Sequence, residues 1–191
     1  MAAGYSLLES MFVAGLVATL SAAAIPQALA ALDDFRAAGA ARYMAARLQR
    51  ARMEAIMRSA EVAVKFTRTP DGHAFAVYID GNGNGIRSID IANGIDRKIS
   101  GPERLTDNFR DVDFGAFDSL PSVDAATPAP GSDPIRLGAS DRVTFTPRGT
   151  SSSGSIYIRS RRTQYVVRIF ATTAKTRLLK FDAKSREWKP V

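Results

Sequence analysis

The stretch Gly4-Tyr5-Ser6-Leu7-Leu8-Glu9-Ser10-Met11 opens an apolar run that continues to Leu32 and decides the fold of this chain. A few residues interrupt the run, namely Glu9, Ser10, Thr19, Ser21, Pro26 and Gln27. A helix of this length is long enough to span the roughly 30 Å hydrocarbon core of a bilayer. A lone carboxylate in such a helix costs a few kcal/mol unless it finds a partner. Glu9 is therefore a functional candidate.

A secretory signal peptide and a plain membrane anchor are two ordinary explanations of the apolar run. A secretory signal peptide has a basic region before an apolar segment of roughly 7–15 residues, whereas here no Lys or Arg precedes the run and the run is longer. A plain membrane anchor has no use for a carboxylate at Glu9. The pattern favours a helix that leaves the bilayer and packs against other helices.

The first residues, Gly4 to Met11, resemble the class III signal of type IV pilins and pseudopilins. The resemblance implies that residues 1–4 are a leader, which a prepilin peptidase removes between Gly4 and Tyr5 before the amino group of Tyr5 is methylated. Residues 5–32 then form the transmembrane or filament-core helix. In a filament, Glu9 pairs with the amino terminus of a neighbouring subunit, and Pro26 is the proline that permits a kink in the helix.

A second helical segment is predicted at residues 33–60, where apolar residues recur at three- and four-residue steps. The predicted buried face consists of Leu32, Phe35, Ala38, Ala41, Met44, Leu48, Ala51 and Ala55. The apolar half of the helix is thus predicted to anchor and assemble, and the amphipathic half to dock on a sheet.

Residues 61–191 show the alternation and turn residues of β-strands. Strands are predicted at 61–67, 73–79, 143–146, 155–159, 164–170 and 177–181, with a hairpin turn at Pro70-Asp71-Gly72. The stretch 120–134 is predicted to be a surface loop. The fold class is therefore α+β, and the pilin resemblance implies antiparallel sheets packed on the carboxy-terminal half of one long helix.

The segments Thr144-Phe145-Thr146-Pro147-Arg148-Gly149 and 171–177 are similar to the H-type minor pseudopilins of type II secretion and to the FimT-like minor pilins. That similarity implies a single-pass protein of the bacterial inner membrane with a periplasmic domain. Its implied partners are other pilin or pseudopilin subunits and the prepilin peptidase. The predicted function is that of a minor subunit of a type II secretion pseudopilus or a type IV pilus, and the alternative is a DNA-binding minor pilin that acts in DNA uptake.

The net charge of +7 is unevenly distributed, because residues 142–191 carry +10 and residues 1–141 carry −3. A basic region of this kind indicates either a surface that faces a polyanion or a solvated sheet face. DNA-binding minor pilins carry Gly-Arg-x-Arg near the carboxy terminus, and Ala174-Lys175-Thr176-Arg177 is similar to it. The candidate DNA-binding residues are Lys175, Arg177, Arg161, Arg162 and Lys180.

The loop Asp80-Gly81-Asn82-Gly83-Asn84-Gly85 presents side-chain oxygens at alternate positions, as calcium loops do. The candidate Ca²⁺ ligands are Asp80, Asn82, Asn84 and Asp90, and the alternative is a turn that uses left-handed backbone conformations. Catalysis is not expected, since the chain has no cysteine and only one histidine, His73. No other cofactor is expected.

Overall fold

The computed structural model describes residues 6–124 and 128–191. One long helix, α1 (Leu7–Arg58), runs without interruption through Pro26. Ser6 caps its start, because the Ser6 hydroxyl accepts a hydrogen bond from the Glu9 amide. The helix ends at Ser59, whose left-handed backbone lets its N–H reach the last carbonyls of α1.

The first sheet has four antiparallel strands in the order β3-β2-β1-β6. Its strands are β1 (Val62–Thr69), β2 (Gly72–Ile79), β3 (Arg97–Glu103) and β6 (Arg142–Phe145). The hairpin turn predicted between β1 and β2 is confirmed, because Thr69 pairs directly with Gly72. A short helix, α2 (Ser88–Ala92), lies between β2 and β3.

The second sheet follows the order β10-β9-β8-β7-β4, and a further strand, β5, pairs with β7. Its strands are β4 (Asp113–Phe114), β5 (Ile135–Arg136), β7 (Gly154–Arg159), β8 (Gln164–Ile169), β9 (Thr176–Asp182) and β10 (Glu187–Pro190). Strands β7, β8, β9 and β10 form a continuous antiparallel meander. Successive turns of a meander lie at opposite ends of the sheet, which separates residues that are close in sequence.

Both sheets pack on the carboxy-terminal half of α1, which confirms the α+β, pilin-like fold class. The buried face of α1 consists mainly of small residues, namely Ala37, Ala38, Ala40, Ala41, Met44, Leu48, Ala51 and Ala55. Small side chains let the sheet come close to the helix axis. A second, smaller cluster lies on the outer face of the second sheet, around Tyr157, Val166 and Leu179.

The predicted buried face of the helix was wrong at its first two positions. Leu32 is 43% exposed and Phe35 is 73% exposed. The periodicity of the sequence continues through them, but the sheets cover α1 only from Ala37 onward. Both residues therefore lie at the edge of the domain, next to the exposed half of the helix.

Candidate functional site

The amino-terminal half of α1 projects from the domain, and residues 6–29 are all exposed. We call residues 7–32 the free helix half. Among the described residues, α1 is one helix that is long and apolar enough to cross a membrane, by length and composition. Its large exposed apolar side chains include Leu8, Phe12, Leu16, Leu20 and Leu29. A continuous apolar surface of this size marks a membrane or protein contact.

The polar candidates of the free helix half lie where the sequence predicts them. Glu9 is in the first turn of α1, with its side chain exposed. Pro26 lies inside the helix and removes one backbone hydrogen bond. The predicted processing site, Gly4 and Tyr5, lies outside the described residues.

Two carboxylates at the end of the free helix half attach the domain to the helix. Asp34 accepts a hydrogen bond of 2.9 Å from the Tyr165 hydroxyl and lies 2.8 Å from the Lys180 ammonium. Asp33 accepts hydrogen bonds from the Ser160 hydroxyl at 2.7 Å and from the backbone N–H groups of Arg161 and Arg162. Sequence analysis missed this role, although two adjacent acids directly after an apolar run were a usable signal.

The burial of Tyr165 and its hydrogen bond to Asp34 both raise the pKa of the tyrosine. Tyr165 therefore keeps its proton at neutral pH and acts as a donor to the Asp34 carboxylate. The contact is charge-assisted and lies at the edge of the core, where such hydrogen bonds are stronger than neutral ones. These contacts fix the direction in which the free helix half leaves the domain.

The structure divides the five candidate DNA-binding residues between two ends of the domain. Arg161 and Arg162 lie in the β7–β8 turn at Asp33, and Lys180 lies at Asp34. Lys175 and Arg177 are exposed near the next turn, where the carbonyl of Ala174 accepts a hydrogen bond from Gln49. At 1.5 Å per residue, Asp33 and Gln49 are about 24 Å apart along α1. The five residues therefore do not form one patch.

Hydrogen bonds from its own backbone amides hold the conformation of the loop that contains the candidate calcium ligands. The Asp80 carboxylate accepts hydrogen bonds from the amides of Asn82, Gly83 and Gly85. The Asn82 side chain accepts one from the Asn84 amide. Asp90 is buried, and one of its carboxylate oxygens has no hydrogen-bond partner. Within residues 6–124 and 128–191, no group of three or more His, Cys, Asp or Glu side chains is arranged to hold a metal.

The single histidine, His73, lines an open cleft of about 420 Å³ between the two sheets. Its ring packs edge-on against Phe114. The neighbouring carboxyl of Asp113 is half-buried, and this burial raises its pKa. His73 and Phe114 thus both line the wall of a wide cleft.

Two comparisons relate this chain to known proteins. A family model described as type II transport protein GspH matches residues 40–173. The minor pseudopilin EpsH from the type 2 secretion system of Vibrio cholerae is a similar solved structure, at 14% identity and a TM-score of 0.45. That match covers 76% of this chain and 97% of the other. No curated protein matches the chain.

The family match covers well over half of the chain, from the buried face of α1 to the turn after β8. It includes the first sheet and strands β4, β5, β7 and β8 of the second sheet. The chain therefore belongs to the family of type II transport protein GspH.

Proposed function

We propose that this protein is a minor pseudopilin that acts as a structural subunit and not as an enzyme. In this account it is made as a precursor, cut between Gly4 and Tyr5 by a prepilin peptidase and methylated at Tyr5. The free helix half holds it in the bacterial inner membrane with the domain in the periplasm. The subunit then assembles with other pseudopilin subunits into a periplasmic pseudopilus.

The observation that carries the proposal is the division of α1 into two halves with different surroundings. The carboxy-terminal half is covered by both sheets, whereas residues 7–29 of the free helix half are all exposed. Apolar side chains such as Leu16 and Leu20 are about half exposed or more. Such a surface is stable only in lipid or against other apolar helices, and these are the two environments of the proposed life cycle.

Glu9 makes the filament more favourable than the bilayer in this proposal. In the bilayer an unpaired carboxylate is unfavourable, whereas in a filament it can meet the amino-terminal ammonium of a neighbour. The difference favours the assembled state and fixes the axial register of the subunits. Pro26 removes a hydrogen bond from the helix and permits local adjustment to neighbouring helices.

Single-cysteine cross-linking tests the proposal, because the chain has no cysteine of its own. Leu16→Cys and Leu20→Cys are expected to cross-link to other pseudopilin subunits in cells with an intact secretion machine. Ser185→Cys, on the exposed β9–β10 turn, serves as the matched control and is expected to cross-link weakly. The proposal fails if the two helix variants reach the membrane in normal amounts and form no cross-links with pseudopilins.

A second candidate function is DNA binding by Lys175 and Arg177. The observation that favours it is that both side chains are exposed near a turn of the second sheet, far from Asp33 and Asp34. A polyanion would reach them there without meeting the carboxylates at the free helix half. The other three basic candidates do not contribute to this surface, so its charge is small.

A further inference from the structure

A notch lies where the free helix half meets the domain. Its volume is about 140 Å³, and it is lined by Leu29, Leu32, Asp33, Arg36, Asp111, Arg161 and Arg162. We call it the arginine notch. One wall is apolar helix surface, and the other is the turn between β7 and β8. It thus combines an apolar wall with guanidinium groups.

The geometry of the notch is fixed by backbone contacts and not by the arginine side chains. Asp33 accepts hydrogen bonds from the N–H groups of Arg161 and Arg162 and from the Ser160 hydroxyl. These contacts hold the tip of the β7–β8 hairpin against α1. The side chains of Arg161 and Arg162 are exposed. Substitution of the two side chains therefore leaves the backbone contacts with Asp33 in place.

The notch carries more positive than negative charge. Asp111 lies 3.1 Å from Arg161, 3.7 Å from Arg36 and 3.8 Å from Arg110. Three arginines thus share one carboxylate, and Arg162 adds a fourth positive charge. Asp33 is the second carboxylate, and its oxygens already accept hydrogen bonds from the hairpin. Among the residues that line the notch, the three guanidinium groups of Arg36, Arg161 and Arg162 outnumber the two carboxylates and leave a surplus of one positive charge for an anion.

The apolar side of the notch continues the free helix half. Leu29 is 61% exposed and Leu32 is 43% exposed, and both line the notch itself. Phe35, one turn further on, is 73% exposed. Phe and Leu are among the side chains with which interfacial helices contact the boundary between headgroups and acyl chains. A ligand that fits these groups has an anionic head and an apolar tail.

The position of the arginine notch along α1 indicates the layer of the membrane in which such a ligand lies. The 26 residues from Leu7 to Leu32 extend about 39 Å at 1.5 Å per residue, against a hydrocarbon core of roughly 30 Å. The end of the free helix half therefore reaches the headgroup layer. Arg161 and Arg162 are then at the level of lipid phosphates, with Leu29 beside the first carbons of the acyl chains.

We propose that the arginine notch binds the headgroup of an anionic phospholipid in the periplasmic leaflet, with an acyl chain along Leu29 and Leu32. The inference rests on the membrane-inserted state of the proposed function. The bound lipid orients the domain against the bilayer before assembly. Entry into a filament removes Leu29 and Leu32 from lipid, so the lipid is released at that step. Inorganic phosphate and nucleic acid lack the chain that the apolar wall accepts.

Native mass spectrometry of the full chain tests the inference. The protein is released from detergent that contains equal amounts of phosphatidylglycerol and phosphatidylcholine of the same chain length. We expect phosphatidylglycerol to form most of the lipid adducts. Each arginine at an anionic surface strengthens binding about fivefold, so Arg161→Gln with Arg162→Gln lowers the preference by about 5- to 25-fold. Lys175→Gln with Arg177→Gln removes the same charge at the other end of the domain and leaves the preference unchanged.

Equal adducts of the two lipids would overturn the inference, as would an unchanged preference in the Arg161 and Arg162 double variant. Displacement of the lipid by millimolar inorganic phosphate would show a simple oxyanion site and would also overturn it. Resistance of the wild-type chain to alkaline extraction from membranes is measured in parallel. If the chain is extracted, the proposed membrane stage has failed; if it resists extraction and shows no headgroup preference, only the lipid inference has failed.

Discussion

The Tyr165 hydroxyl donates a 2.9 Å hydrogen bond to Asp34, which joins the middle of the second sheet to the helix just after its apolar run ends. The Lys180 ammonium lies 2.8 Å from the same carboxylate, so strands β8 and β9 meet the helix at one residue. The free helix half ends at Leu32, immediately before this contact. Its direction relative to the domain is set by these three side chains together with the Asp33 contacts.

Loss of the Tyr165–Asp34 hydrogen bond is expected to destabilise the domain. Tyr165→Phe and Asp34→Asn should each lower the free energy of unfolding by about 1.5–3 kcal/mol, because a hydrogen bond to a charged group contributes that much. Chemical unfolding of the full chain in detergent measures the effect. The double variant should lose less than the sum of the two single variants. Strict additivity would contradict the contact, and Tyr78→Phe on the other sheet is the matched control.

Alkaline pH should weaken the folded state through two tyrosines. Burial raises the pKa of Tyr157 to about 12, and burial with the Asp34 hydrogen bond raises that of Tyr165. Both ionise near pH 10 when unfolded. Above pH 10 the unfolded chain therefore binds fewer protons than the folded one, and stability falls as pH rises. Below pH 10 both groups are protonated in both states, and neither contributes a pH dependence.

The comparison with Tyr165→Phe isolates this contribution from the lysines that also titrate there. The melting temperature of the variant is expected to fall less steeply between pH 10 and 11.5 than that of the wild type. Parallel curves for the two proteins would contradict the raised pKa of Tyr165.

The buried face of α1 should be sensitive to truncation, and its exposed face should not. Leu48 is fully buried and Met53 is 51% exposed, on the same half of the helix. Leu48→Ala should lower the free energy of unfolding by about 2–5 kcal/mol, because it leaves a cavity under the sheets. Met53→Ala should change it by less than about 0.5 kcal/mol. Similar losses for the two variants would show that the sheets cover a different face of α1.

The long helix and the central strands could be predicted because their apolar periodicity is strong. The edge strands β3 and β10 could not, whereas β6, at the other edge of the first sheet, was predicted from residues 143–146. Strand β3 contains Gly101 and Pro102, and Pro is tolerated only at sheet edges, so its sequence does not indicate a strand. Strand β10 is mostly exposed and has no clear alternation. Such strands form because a neighbouring strand supplies hydrogen bonds, and that information is not local.

The separation of the basic candidates into two groups, by contrast, could have been predicted from the order of strands and turns in the sequence. Arg161 and Arg162 lie in one hairpin turn, and Lys175 lies in the next. Consecutive turns of an antiparallel meander are at opposite ends of the strand between them, here β8. Proximity in sequence therefore meant separation in space. The two adjacent acids after the apolar run indicated a polar contact there, but the sequence did not indicate that Asp33 would hold the first of these turns, since that contact spans more than 120 residues.

DNA binding, where it occurs, should depend on one end of the domain only. Lys175→Ala with Arg177→Ala is expected to weaken binding of duplex DNA and to reduce its dependence on salt, because two phosphate contacts are lost. Arg161→Ala with Arg162→Ala should leave it unchanged. Fluorescence anisotropy over a salt series measures both. Equal losses of DNA affinity for the two variants would mean that binding depends on the overall positive charge of the domain and not on one local surface.

The central claim is that Glu9 drives assembly and not membrane insertion, and the most direct measurement compares the wild type with Glu9→Leu in cells that form pseudopili. The full-length variant is expected to resist alkaline extraction from membranes as the wild type does, since its helix is more apolar. Its amount in sheared pseudopili is expected to fall at least tenfold, because the carboxylate no longer pairs with a neighbouring amino terminus. Glu54→Leu, on the covered half of α1, controls for the loss of a charge. Normal incorporation of Glu9→Leu into the filament would contradict the account.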